Sequence, residues 1–370
     1  MKTKAAVLYE AGQPAVIEEI TLDAPRQGEV LVRMQAAGVC ASDLHVREGM
    51  IPEPLPIVLG HEGTGIVVEV GPEVSSLQTG DRVVLTLVPA CGTCFYCNRG
   101  EPHMCLTSGT MAARGVLRDG TTRMRIGNRT LYHFNSVSCF SEYVVVPQEG
   151  AVKIPHDVPV EIAALLGCAV VTGVGAVERT AGVRPGESVA VVGCGGVGLN
   201  VIQAANLSGA YPIIAIDIRD DKIEIAKTFG ASHGVNAREQ DAVAAVLETT
   251  EYGVDWAFEV LGNPRTIEQA WELIRPRGTV VVVGLSPKGS RVSLPAFDFI
   301  SEKNIRGCFY GSSRFHADVP VIIKRIQAGR MRIDGMVSHS VPLEELESAF
   351  SRMRSGDGLR TVLQFSGEDS

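Results

Sequence analysis

The 370-residue sequence predicts an α/β chain of two domains, one β-rich and one built on a doubly wound parallel sheet. Three observations carry the prediction. The length exceeds what one ordinary core covers and suits two. Roughly the first 155 residues read as short β-rich runs between turn residues, among them EVLVRMQAAGV, GTGIVVEVG, DRVVLTLVP and SEYVVVP. From about residue 186 strands and helices alternate, which means crossover connections and a parallel sheet covered on both faces.

In order along that second part, ESVAVVGCGGVGLNVIQAANLSGA reads as an apolar strand, a glycine turn and a helix. YPIIAIDIRDDKIEIAKTFGA repeats strand then helix, and VDWAFEV, TIEQAWELIRP and GTVVVVGL continue the alternation. Past residue 312 the chain turns helical in DVPVIIKRIQAG and LEELESAFSRMRSG, then closes with the strand-like LRTVLQF. The pieces on either side of the alternating region are expected to share the other domain.

Composition bounds the partners. Hydrophobic residues make up 45% of the chain, enough for sizeable cores and too many for disorder. The net charge of −8, with no long basic run, argues against nucleic acid or an anionic membrane surface. The apolar run before Glu10 spans five residues, too short for a signal-peptide core. The uncharged span Ile162 to Val177 is 16 residues with three glycines and is read as buried rather than membrane-crossing. A cytoplasmic location follows as the expectation. In that reducing setting nine cysteines favour metal binding or catalysis over disulfides.

Four of those cysteines, Cys91, Cys94, Cys97 and Cys105, fall within CGTCFYCNRGEPHMC. The spacing Cys-x2-Cys-x2-Cys-x7-Cys suits four thiolates around one tetrahedral ion, and a closed zinc site would stabilise a lobe (about 89–106) with few apolar residues. An iron–sulfur cluster uses the same ligands, and disulfides are the third possibility. Gly193, Gly195 and Gly198 form G-x-G-x-x-G, with Gly196 and Val197 between them, after a strand and before a helix. There the glycines permit a tight turn, a close approach to a pyrophosphate and close helix packing. Asp217, 24 residues after Gly193, ends the next strand, where a carboxylate accepts ribose hydroxyls and repels a 2′-phosphate. NAD is therefore expected rather than NADP, with Arg219 nearby as the one cation that would favour a phosphate.

Three further places carry soft or nitrogen ligands. GVCASDLH holds Cys40, Ser42, Asp43 and His45; GHEGTG holds His61 and Glu62; LLGCAVVTG holds Cys168. Singly, each is as well explained by a small buried hydrophobe or a surface pair. Together they offer two thiolates and one imidazole, a set that leaves a fourth position on zinc open.

These motifs, with FSEYVVV, AIDIRDDK and RSGDGLRTVLQF, closely resemble the zinc-dependent medium-chain alcohol dehydrogenases, especially the liver-type branch, over essentially the whole chain. The resemblance implies a Rossmann NAD-binding domain over 171–312 and a β-rich GroES-like catalytic domain made of 1–170 and 313–370. It implies two zinc ions per chain. Cys40, His61 and Cys168 match the catalytic ligands, with Glu62 beside the metal and able to exchange onto it. The four clustered cysteines match a structural zinc site. Asp43 matches the carboxylate that orients the histidine, and Ser42 and His45 the proton relay. Asp217 and Lys222 match contacts to the adenosine ribose, and Arg360 a cation near the cofactor phosphates. Ile51, Leu87, Met104, Thr110 and Phe134 match pocket positions.

The expected reaction is reversible oxidation of a primary or secondary alcohol, of medium aliphatic, terpenoid or aryl type, to aldehyde or ketone with NAD+. The alternatives are oxidation of a thiol adduct of formaldehyde and, more remotely, a non-catalytic NAD-binding structural protein. Two departures matter. Ala41 stands where the family often has a cation, and Gly109 where the glutathione-dependent branch has an arginine, with Arg114 out of register. A homodimer or homotetramer is implied, with NIRGCFYG extending a sheet across a two-fold axis.

Overall fold

In the computed structural model, which describes residues 1–365, the β-rich half of the sequence makes two sheets. Its strands are β1 (Lys2–Leu8), β2 (Val16–Leu22), β3 (Glu29–Gly38), β4 (Ile57–Val58), β5 (Gly63–Val70), β6 (Arg82–Leu85), β7 (Met124–Ile126), β8 (Arg129–His133), β9 (Tyr143–Pro147) and β10 (Ala151–Lys153). A closed barrel runs β1-β2-β7-β8-β4. The second sheet runs β10-β6-β5-β3 and continues through Arg360–Gln364 and Val337–Pro342, with β9 also on β3. Being paired on both edges, β3 is apolar almost throughout and nearly all of it is buried. Leu8, Val32, Val67, Leu85, Phe140 and Phe350 share the core beneath this sheet.

The alternating region forms β11 (Val189–Val192), β12 (Ile213–Asp217), β13 (His233–Asn236), β14 (Val254–Glu259), β15 (Ile274–Val282) and β16 (Asn304–Gly307). All pair in parallel, in the order β13-β12-β11-β14-β15-β16. That is the doubly wound dinucleotide order, which reverses direction between β11 and β14. Val337–Pro342 and Arg360–Gln364, β17 and β18, belong to the other sheet.

By spatial clustering the chain forms one unit from Met1–Cys168, Arg314–Gln327 and the chain from Ile333, and another from Ala169–Ser313 with Ala328–Arg332. The boundaries at 168 and 313 lie within two residues of the expected ones. The short return at 328–332 was not anticipated. It follows from Gln203, whose Nε2 donates to the Arg332 carbonyl at 2.8 Å while its Oε1 accepts the Arg332 N–H. The span around Ile162–Val177 is buried, as expected, but the element that holds it is longer than the span. It belongs to a helical run, Val160–Ala181, whose 22 residues are long and apolar enough to cross a bilayer, yet 78% of its most apolar window is buried in protein. The run therefore reads as a core helix.

Candidate functional site

Helix α1 (Ala41–Arg47) begins just past the end of β3, with Cys40 as its N-cap. Asp43 sits in its first turn, wholly buried, and its carboxylate serves three groups. One oxygen accepts the Cys40 N–H at 3.1 Å; the other accepts the Gly60 N–H at 3.0 Å and lies 3.1 Å from His61 Nδ1. With Nδ1 so engaged, Nε2 is the free ligand atom; it is buried and has no hydrogen-bond partner. Cys168 arrives from the helical run Val160–Ala181, in a stretch (Leu166–Val170) wound as π-helix, a distortion that recurs at functional sites.

The ligand atoms of Cys40, His61 and Cys168 lie within 4.8 Å of one another. A hydrogen bond from Cys168, with help from His61 and the Arg360 guanidinium, holds the Cys40 thiol well below its ordinary range despite burial. The same bond, together with burial, pushes Cys168 up. Burial opposes a charge on His61, but the Asp43 carboxylate and the Cys40 sulfur outweigh it and raise its pKa well above the ordinary value. A buried imidazole nitrogen without a partner facing two sulfurs is the donor set zinc takes, with one position left open.

Glu62 is fully buried, and one of its oxygens accepts from Arg360 Nη2. Arg360, on β18, is itself only 7% exposed. It gives one donor to the carboxylate next to His61, in the same unit as the thiols, which leaves its other N–H groups for the role expected at the cofactor phosphates. Ser42 and His45 stand one turn apart on α1, both half-buried, and Ala41 is exposed at the start of that helix.

In the lobe, Cys91, Cys94, Cys97 and Cys105 also have sulfurs within 4.8 Å of one another. Sulfurs of Cys91 and Cys97, and of Cys94 and Cys105, are 4.0 Å apart, twice a disulfide bond length, and all four thiols are free. Backbone N–H groups point at them: Cys91 to the Cys105 sulfur at 3.2 Å and Cys94 to the Cys91 sulfur at 3.3 Å. Such donors stabilise thiolates. Burial works against Cys91, yet hydrogen bonds from Thr107 and Thr93 bring it down to about 5. The set fits one tetrahedral ion.

On the parallel sheet, Gly193 follows β11 with φ of +104° and donates to the Ile216 carbonyl at 2.8 Å. A Cβ on Gly198 would stand 1.9 Å from the Gly193 carbonyl, so only glycine lets the helix Gly196–Leu207 close on the turn. That helix is capped by Gly195, and Val197 lies in its first turn. The Asp217 carboxylate faces the turn and accepts N–H groups of Cys194 at 2.8 Å and Ile218 at 2.7 Å. Lys222 is half-buried on the next helix, Asp220–Thr228. Arg219 forms a two-point ion pair with Asp221 at 2.9 Å.

The five residues matched to pocket positions differ in exposure. Met104 is 41% exposed and Thr110 lies open on the helix Leu106–Arg114, its hydroxyl turned back to the Leu106 carbonyl at 3.0 Å. Ile51 packs half-buried against the core, Leu87 is half-buried, and Phe134 is 2% exposed with its ring on His61. Sequence reasoning missed Gly60, whose N–H binds Asp43, and Phe134 as a neighbour of the histidine; the glycine of the GHEG string was the only signal for either.

A family model for the alcohol dehydrogenase GroES-like domain matches residues 26–156, and one for zinc-binding dehydrogenases matches residues 196–328. The S-(hydroxymethyl)glutathione dehydrogenases of Synechocystis sp. and Saccharomyces cerevisiae are 39% and 38% identical to this chain, over 99% and 98% of it and 100% and 96% of their own lengths. The crystal structure of benzyl alcohol dehydrogenase from Acinetobacter calcoaceticus matches with a TM-score of 0.93 at 34% identity, over 99% of this chain and all of that one. The chain belongs to the zinc-dependent medium-chain alcohol dehydrogenase family, with a GroES-like domain beside a Rossmann domain. It is an oxidoreductase whose cofactors are zinc and NAD.

Proposed function

We propose that the enzyme oxidises the hydroxyl of an S-hydroxymethyl adduct, formed between formaldehyde and a low-molecular-weight thiol, with NAD+ as acceptor. The observation that carries this reading is full-length similarity to relatives named for that substrate class. It puts the alternative drawn from the sequence ahead of the aliphatic, terpenoid or aryl alcohol first expected. The aryl alcohol is kept as the second reading, on the strength of the benzyl alcohol dehydrogenase match. Gly109 bears on which thiol is used: glycine has no side chain with which to grip a thiol's carboxylate, although the space at that position is open. Arg114, exposed at the end of the same helix, is the nearest guanidinium in sequence.

The residues divide the work. Cys40, Cys168 and His61 Nε2 would hold the catalytic zinc, and Asp43 keeps His61 aimed by accepting from Nδ1. The four lobe cysteines would hold the structural zinc. When bound, the catalytic zinc supplies a Lewis acid that makes a hydroxyl more acidic, and NAD+ supplies the hydride acceptor. Ser42 Oγ receives the substrate proton and the His45 imidazole, one turn on, passes it to water. The glycine turn with Asp217 and Lys222 seats NAD.

We place the enzyme in the cytoplasm as a homodimer or homotetramer acting on a small molecule, without nucleic acid or membrane. The supporting features are nine free cysteines and an exposed edge strand, β16, flanked by Phe297, Ile300 and Phe309. A substrate panel tests the reading. Formaldehyde with glutathione and with other small thiols is compared with benzyl and aliphatic alcohols by NADH absorbance. The expected result is a kcat/KM for one thiol adduct at least about tenfold above any free alcohol. Benzyl alcohol outperforming every adduct would establish the second reading instead.

A further inference from the structure

The segment after β8, FNSVSCF, holds three non-glycine residues in the left-handed region: Asn135 at φ +51°, Ser136 at +58° and Ser138 at +56°. L-residues rarely adopt that conformation, and runs of them persist only where the surroundings over-determine them. Here both serines are buried and their hydroxyls are committed. Ser138 Oγ accepts the Phe134 N–H at 2.9 Å and donates to the Val58 carbonyl at 2.9 Å; Ser136 Oγ donates to the Val116 carbonyl. The segment then locks onto the strand that leads to His61. Cys139 N–H reaches the Gly60 carbonyl and Phe140 N–H the Leu59 carbonyl, both at 3.0 Å. Gly60 has φ of +95°, and a Cβ there would stand 2.5 Å from the Phe140 nitrogen.

What this strained loop delivers is one ring. Phe134 meets His61 with ring centroids 5.4 Å apart and planes at 87°. The terminal torsion of a histidine is soft, with a broad preference rather than sharp wells. The Asp43 contact at Nδ1 fixes one direction in the imidazole plane but leaves the ring free to tilt about the Nδ1···Oδ1 line. An edge-to-face neighbour removes that remaining freedom. We propose that Phe134 is a positioning residue for the metal centre: held by the strained 134–140 loop, its ring fixes the tilt of His61 so that Nε2 stays aimed at Cys40 and Cys168. The inference rests on those three residues being the metal ligands.

The test uses the zinc-loaded enzyme. Zinc release to a chromophoric chelator is followed in the wild type, in Phe134→Leu, which keeps apolar bulk without a ring plane, and in Phe134→Tyr, which keeps the ring. Thermal unfolding and the ligand-field spectrum after cobalt substitution at the catalytic site are read alongside. Residues behind a ligand typically change metal affinity about 10–100-fold, so Phe134→Leu should release the catalytic ion about tenfold faster and alter its cobalt bands. The lobe zinc should leave at the wild-type rate, and Phe134→Tyr should restore both readouts. Wild-type release and cobalt bands in Phe134→Leu, whatever the Tm, would reduce Phe134 to ordinary core. If that variant does not fold, Ser138→Ala, which frees the loop while leaving the ring, carries the same expectations and the same refutation. A wild-type enzyme holding only one zinc overturns the ligand assignment itself, and the inference with it.

Discussion

At the scale of single residues, the ligand chemistry was the legible part. Thiols and imidazoles are scarce and their spacing is constrained, so Cys40, His61, Cys168 and the four lobe cysteines could be picked from the sequence, and the fold brings each set together. Arg360 was not legible in this sense. A cation far along the chain can be assigned to a phosphate or to a carboxylate, and only the register of β18 against β3 shows it beside Glu62. The pocket residues were less legible still, because exposure at Met104 and burial at Phe134 depend on neighbours no motif encodes. Ser42 gives the sharpest prediction at this scale. Ser42→Ala removes the relay hydroxyl, so turnover should fall about 10²–10⁴-fold while two zinc ions per chain remain by elemental analysis. His45→Gln should cost less, since a half-exposed imidazole can be bypassed by water. Turnover close to wild type in Ser42→Ala would remove the relay role.

At the scale of elements, strands and helices followed their periodicities, and the departures came where tertiary contacts overrode them. The helical run Val160–Ala181 is longer than its uncharged span because Glu161, Glu178 and Arg179 fall inside it. The π-wound stretch carrying Cys168 leaves no trace in side-chain pattern. The barrel holds another unread feature, a buried ionic cluster. Arg123 has no exposed surface and donates to Glu29 at 2.5 Å and Asp119 at 2.8 Å, while its backbone N–H goes to His133 Nε2 at 3.2 Å. Burial, reinforced by the Arg123 charge, pushes His133 down to about 3 from 6.5. A base whose folded pKa is depressed is neutral in the native state and charged in the acidified unfolded chain. It favours folding above pH 6.5, and that contribution is lost progressively as pH falls toward 3, about 1.4 kcal/mol per unit of separation. Melting temperature against pH should therefore slope more steeply in wild type than in His133→Gln between those limits. Parallel curves would show that His133 does not govern acid unfolding.

At the scale of the whole molecule, the doubly wound parallel sheet and the two-part GroES-like unit were implied by the alternation of elements and by the family motifs, while the strand order came only from the structure. Subunit association was not decided by them. Every residue of β16 is exposed, including Ile305, and an uncovered parallel-sheet edge invites pairing. Ile305→Lys places a charge on that edge and should shift sedimentation toward the monomer with NAD binding retained; an unchanged sedimentation profile would move the interface elsewhere. The route of the chain has a further consequence for biosynthesis. The sheet that carries Cys40 is completed by β18, which slots between β3 and β17, whereas the Rossmann strands are contiguous in sequence. On a ribosome the parallel sheet can therefore mature first, while the thiols wait in a half-built partner with Glu62 lacking its arginine. The buried Glu62–Arg360 pair beside the thiols is in this sense the last part of the site to be made, since Arg360 arrives only with the closing strand.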